Sequence, residues 1–189
     1  MKDMTTHRIT SIDELLTVYD AEPGEAAVRK VAHRLTPLYS KWIATSRFCI
    51  LSSVGPDGTD GSPRGDDGPV VLELDEHTLA MPDWRGNFRL DSLRNIVLDG
   101  RVSLLFLVAG STTVLRVNGT AVISTAPDLL ERFEQARAHP RSVIVIHVAE
   151  VYPQCAKALM RSALWTGGDE TEGLPSAGEM MAEITRGDI

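Results

Sequence analysis

"TVLRVNGTAVIST", Thr113 to Thr125, reads as one long β-strand with a glycine, Gly119, at its centre. Glycine inside a strand marks a bulge or the sharp bend of a barrel. The runs on either side, "RVSLLFLV" (101–108) and "SVIVIHVAEVYP" (142–153), are also strand-like, and "AGST" turns the chain between the first of them and Thr113. Upstream stand "FCILSSV" (48–54), followed by the turn residues "GPDG", and the pair "PVVLELD" (69–75) and "TLAMP" (78–82), joined by "EH". Six or seven strands at short intervals, some bending at glycine and returning through hairpins, predict a small closed or partly open barrel.

Helices flank this β region. "SIDELL" opens with Ser11 and carries Glu14 three residues later, a capping-box signature for a helix to about Asp20. "EPGEAAVRKVAHRL" predicts a second helix, with Val28, Val31, Ala32 and Leu35 on one face, and "TPLYSKWIATS" a third, with Thr36 as N-cap and Pro37 at N1. Residues 1–45 thus form a helical N-terminal extension. A further helix follows the fourth strand, with Leu90, Leu93, Ile96 and Val97 along one side, ending at Asp99-Gly100. "APDLLERFEQARA" and "QCAKALMRSALW" are helical, and the last residues suit a short helix. Residues 166–179 have the composition of a flexible loop, and 166–189 read as a C-terminal tail. Neither a repeat nor a domain boundary is visible, so one domain is expected over 1–189.

With 19 Lys+Arg against 26 Asp+Glu, the net charge is −7. Such a chain lacks the excess cation that nucleic-acid binding needs, and a local basic cluster stands out. Cys49 and Cys155 match neither zinc nor disulfide spacing and read as buried thiols of a reducing compartment. The N-terminus lacks the apolar run of a signal peptide, and no stretch is apolar enough to span a membrane. These features predict a soluble cytoplasmic protein.

"MPDWRGNFRLDSLRN" (81–95) is the basic cluster. Arg85, Arg89 and Arg94 flank Gly86-Asn87 where a strand gives way to a helix. A helix N-terminus presents unpaired N–H groups and the positive end of the dipole, and arginine adds a planar fork suited to phosphate. Gly86 permits close backbone approach, and Ser92 and Asn95 could add donors. The alternative is a solvated loop whose arginines pair with Asp83, Asp91 and Asp99. Arg64, in "GSPRGDDGP", lies on a strand edge or turn, and beside the first cluster it would share the same anion. His7, His33, His77, His139 and His147 show no metal-ligand spacing. Trp42, Trp84 and Trp165 suit core or interface as well as stacking on a planar ligand, and Lys157 and Arg161 fall on one helix face. No catalytic acid, base or nucleophile declares itself, which suits a protein whose cofactor carries the chemistry.

"RFCILSSVGPDGTDGSPRGD", "LAMPDWRGNFRLDSLRNIVLDGRVSLLFLVAGSTTVLRVNGTAVI" and "HVAEVYPQCAKALMRSALW" resemble the pyridoxamine 5′-phosphate oxidase-like, FMN-binding split-barrel family, in the subgroup called FMN-dependent. The likeness spans roughly residues 30–166. It implies a mainly β fold with flanking helices, a six-stranded split β-barrel, and a homodimer with FMN at its interface. It further implies an oxidoreductase acting on a small molecule. Arg64 matches the strand arginine that reaches the FMN phosphate. Arg89 and Ser92 match the basic and hydroxyl positions on the same phosphate, and Asn87 and Asn95 belong to that motif. Lys157, Arg161 and Trp165 match a C-terminal signature placed near the flavin across the interface. Relatives commonly read "DRPGNNRLD" where this chain reads "DWRGNFRLD", so Trp84, Arg85 and Phe88 are departures. The substrate-phosphate motif of true pyridoxamine 5′-phosphate oxidases is absent, which argues against that substrate. A non-catalytic flavin carrier or sensor, and a barrel that has lost FMN and serves as a binding module, are the alternatives.

Overall fold

The computed structural model describes residues 7–133, 139–155 and 157–186. Helices α1 (Ile12–Val18), α2 (Glu25–Arg29) and α3 (Pro37–Thr45) lead into strands β1 (Phe48–Gly55) and β2 (Gly58–Gly65). Next come β3 (Leu72–Asp75), β4 (Thr78–Asp83), α4 (Asp91–Leu98), β5 (Arg101–Leu107) and β6 (Val114–Ser124). The chain continues through α5 (Pro127–Leu130), β7 (Ser142–Gln154), α6 (Lys157–Arg161) and α7 (Ala177–Thr185). The strands form one antiparallel sheet in the order β2-β1-β5-β6-β7-β4-β3. The fold is therefore mainly β with flanking helices, as expected, with seven strands where the resemblance implies six. The shortest strand, β3, has four residues and an irregular register against β4.

Gly119 occupies the bulge that the sequence suggests. The β6–β7 register shifts between Asn118 and Gly119, and a Cβ built at 119 would lie 1.9 Å from the carbonyl oxygen of His147. A bulge adds local twist, which lets β6 and β7 curl and bring distant strands together. Pro63 is tolerated in β2 because this is an edge strand, where one face of the backbone needs no ladder bond.

Side chains alternate along the strands, and one set fills the interior: Leu51 from β1, Leu104 and Phe106 from β5, Val117 from β6, and Ile144, Ile146 and Val148 from β7, all fully buried. Ile96 of α4 and Ile43 of α3 pack against them. Each fully buried side chain of this kind contributes about 1.5–3 kcal/mol.

Several helical expectations need correction. The second helix stops at Arg29, and Ala32 forms an isolated bridge with Val151, because β7 offers its backbone there. Helix α1 ends at Val18; Ser11 Oγ accepts from the Glu14 N–H, and the Glu14 carboxylate accepts chiefly from Thr10. On α4 Ile96 is buried and Leu93 packs partly buried against the core as expected, joined by the buried Ser92, while Val97 and Leu90 are exposed. Val70 and Val71 are buried outside any strand. The helix predicted from Ala126 is one turn, α5, and residues 134–138 of that stretch lie outside those described. Cys155 is exposed, not buried.

Cys49, fully buried on β1, behaves as expected of a core thiol. Burial pushes its pKa from 9.0 up to about 12, against a smaller opposing pull from Arg64. Above pH 9 the unfolded chain releases a proton that the folded chain retains, so this group's contribution falls as pH rises toward 12. Three pKa units correspond to about 4 kcal/mol. Cys49→Ala should lose a little stability at pH 7, with the deficit shrinking in denaturation curves above pH 9. A deficit constant across that range would refute the buried-thiol assignment.

Candidate functional site

The sheet has two edges, β2 and β3, and the curl brings β2 opposite β4. Side chains, not backbone bonds, join the two sides. Arg64 Nη1 of β2 meets Asp83 Oδ1 of β4 at 2.9 Å, with both side chains mostly buried. Trp84 Nε1, just beyond β4, donates to Asp66 Oδ2, just beyond β2, at 2.8 Å. This seam is the split of the barrel. Above it opens a cleft of about 730 Å³, lined by β2 from Asp60 to Arg64, the loop from Trp84 to Leu90, the first turn of α4, and Arg141 with Ser142 at the start of β7. That volume suits a cofactor-sized ligand.

The sequence-stretch 81–95 thus does sit at a helix mouth. Helix α4 has Leu90 as its N-cap and no side-chain cap bond, so its first turn faces the cleft with backbone donors that no capping side chain satisfies. Phe88 and Leu90 both adopt left-handed backbone, φ 64° and 61°. Such conformations cost a non-glycine residue about 1–2 kcal/mol, and they cluster at ligand clamps.

Arg64 is the best-placed candidate for an anion ligand. Its Nε is buried and has no hydrogen-bond partner. A buried N–H left unpaired costs about 1–3 kcal/mol, and a phosphate oxygen met by turning the guanidinium toward the cleft that Arg64 lines would remove that penalty. The residues therefore fit a phosphate-bearing group at this point.

Arg85 and Asn87 also line the cleft, both exposed. The Asn87 side chain accepts from the Arg89 backbone N–H at 3.1 Å and shapes the loop. Arg89 is paired with Asp91, Nε to Oδ2 2.7 Å, on an exposed surface, and this bond raises the guanidinium pKa further. Ser92 is buried and donates its hydroxyl to Asp60. The alternative of arginines paired with local aspartates holds for Arg89–Asp91, whereas Asp83 pairs with Arg64 and Asp99 with Arg101.

Four residues stand apart from the cleft in the single chain. Asn95 lies behind α4 and donates to Ser53 Oγ of β1 at 3.1 Å. Lys157 and Arg161 are exposed on α6, and Trp165 Nε1 donates to Ser111 O at 2.8 Å, beside the β5–β6 turn. Asp60 and Arg141 line the cleft without having been singled out from sequence, and Asp83 enters the sequence reading only as a partner for the local arginines. Arg141 directly precedes the run 142–153, but nothing in its neighbours marks it; only the pairing of Asp83 with Ser142 puts it at the cleft. Among the described residues there is no group of three metal-ligating side chains and no helix long and apolar enough to cross a membrane.

A family model described as pyridoxamine 5′-phosphate oxidase matches residues 35–155. Similar solved structures include HupZ of Group A Streptococcus, at 18% identity and TM-score 0.53, with 64% of this chain and 94% of that one covered. Another is a Lactobacillus delbrueckii protein carrying the provisional name pyridoxamine 5′-phosphate oxidase, at 20% identity and TM-score 0.51, with 64% and 95% covered. No curated protein matches the sequence.

Proposed function

Since the chain belongs to the pyridoxamine 5′-phosphate oxidase family, we propose that its cleft binds FMN by the phosphate and that the protein is a flavin-dependent oxidoreductase, acting as a homodimer on a small molecule. The buried, unpartnered Arg64 Nε carries this reading. The family gives the cofactor class, and the uncapped mouth of α4 supplies donors beside that arginine.

In this reading Arg64 and the α4 first turn hold the phosphate, with Arg89 swinging from Asp91 to join them. Ser92 keeps Asp60 engaged, so that carboxylate is turned toward a hydroxyl instead of standing free beside the anion. Trp84 and Phe88 border the cleft with apolar surface that excludes water. Bound flavin supplies hydride or electron transfer, which these side chains do not provide themselves. Lys157, Arg161 and Trp165 would reach the flavin from the second subunit.

The test is a fluorescence titration of the purified chain with FMN, alongside its visible spectrum. Saturable quenching and a yellow protein are expected. A colourless protein that takes up no added FMN would sink the reading and leave the binding module. Binding without reduction by any of NADH, NADPH or a chemically reduced donor would leave the carrier.

A further inference from the structure

We propose that Arg141 is a second anion ligand of the cleft, binding the carboxylate of a small acid beside the cofactor, and that Phe88 is the positioning residue that holds its guanidinium. The proposal rests on the flavin reading for which end of the cleft the cofactor takes.

Arg141 stands on a rigid base. Its backbone N–H donates to Asp83 O at 3.3 Å, continuing the β4–β7 pairing by one residue. Its guanidinium carbon lies 4.9 Å from the centroid of the Phe88 ring. Among the described residues no carboxylate pairs with it, unlike Arg64 and Arg89 in the same cleft. Contact with a ring engages the face of a guanidinium and leaves its in-plane N–H fork for a ligand.

Phe88 gives the second observation. It is 52% exposed, so core packing does not explain its place, and yet it holds a left-handed backbone that a bulky side chain resists. Its ring partner is Arg141. Strain retained at an exposed loop residue is the pattern of a ligand clamp. A planar fork beside an apolar ring matches a flat or aromatic carboxylic acid, since a carboxylate takes two parallel N–H bonds and the ring covers its carbon skeleton.

The experiment uses the full chain and two probes of one shape, benzoate and its neutral counterpart benzamide, titrated calorimetrically with and without FMN. Benzoate should bind and benzamide should not. Arg141→Gln should weaken benzoate by roughly tenfold or more, as expected for a charged hydrogen-bond donor, with FMN affinity unchanged. Arg141→Lys, which keeps the charge but lacks the fork, should fall between, and it serves if the glutamine variant misfolds. Equal binding of both probes, absence of saturable benzoate binding, or wild-type affinity in the variants would overturn the proposal. Loss of FMN affinity in step with benzoate would also overturn it, since Arg141 would then belong to the phosphate cradle. Arg141-dependent benzoate binding by a chain that takes no FMN would sink the flavin reading and leave this site standing.

Discussion

Gly119→Ala is expected to cost the fold at least about 3 kcal/mol, at the upper end of what overpacking does. The added methyl would meet His147 O at 1.9 Å, His147 C at 3.0 Å and Ala149 N at 3.3 Å. All three are backbone atoms of β7, which is bonded to β6 on one side and β4 on the other. No side chain can rotate aside, so the bulge itself must rearrange. Gly55 provides the contrast. A Cβ there would lie 2.2 Å from Asn95 Oδ1, the tip of a side chain that can turn away at the loss of its bond to Ser53. Chemical denaturation should therefore rank Gly119→Ala well below Gly55→Ala. Equal midpoints would mean that the β6–β7 bulge is not a rigid element.

The second large effect is at Arg64, which has two roles that can be measured apart. Arg64→Ala removes a charged donor from the phosphate and should weaken FMN binding by roughly 10- to 100-fold, from about 1.5–3 kcal/mol. It also strands Asp83, whose side chain is only 16% exposed. Leaving one partner of a buried pair uncompensated destabilises the fold; this pair is partly exposed, so a loss of about 1–3 kcal/mol is appropriate. Asp83→Asn added to Arg64→Ala should return most of that stability, because no unpaired charge remains. FMN affinity should stay low in the double variant. Affinity that returned together with stability would show that Arg64 acts on the flavin only by holding the barrel together.

How far the sequence could be read depends on the range of the interactions involved. Thr36 and Pro37 begin α3, and Gly119 marks a bulge, because those signals are local. Helix α2 ends at Arg29 for a long-range reason, the bridge from Ala32 to Val151, so its apolar pattern overstated its length. The basic cluster at a helix mouth was legible from Arg85 to Ser92. The partner Arg64 entered through its motif, and its ion pair with Asp83 depends on how the sheet curls. Arg141 was invisible for the same reason: it reaches the cleft through the β4–β7 register, which no stretch of sequence spells out.

The seam has a dynamic consequence. Between β2 and β4 the described contacts include one ion pair and one indole hydrogen bond, where other neighbouring strands share a ladder of backbone bonds. Local opening proceeds where few cooperative bonds must break, so the barrel can open along this line. That motion also widens the cleft above it. The route by which a ligand enters and a line of opening then coincide, and any anion that draws Arg64 from Asp83 changes how readily the cylinder breathes.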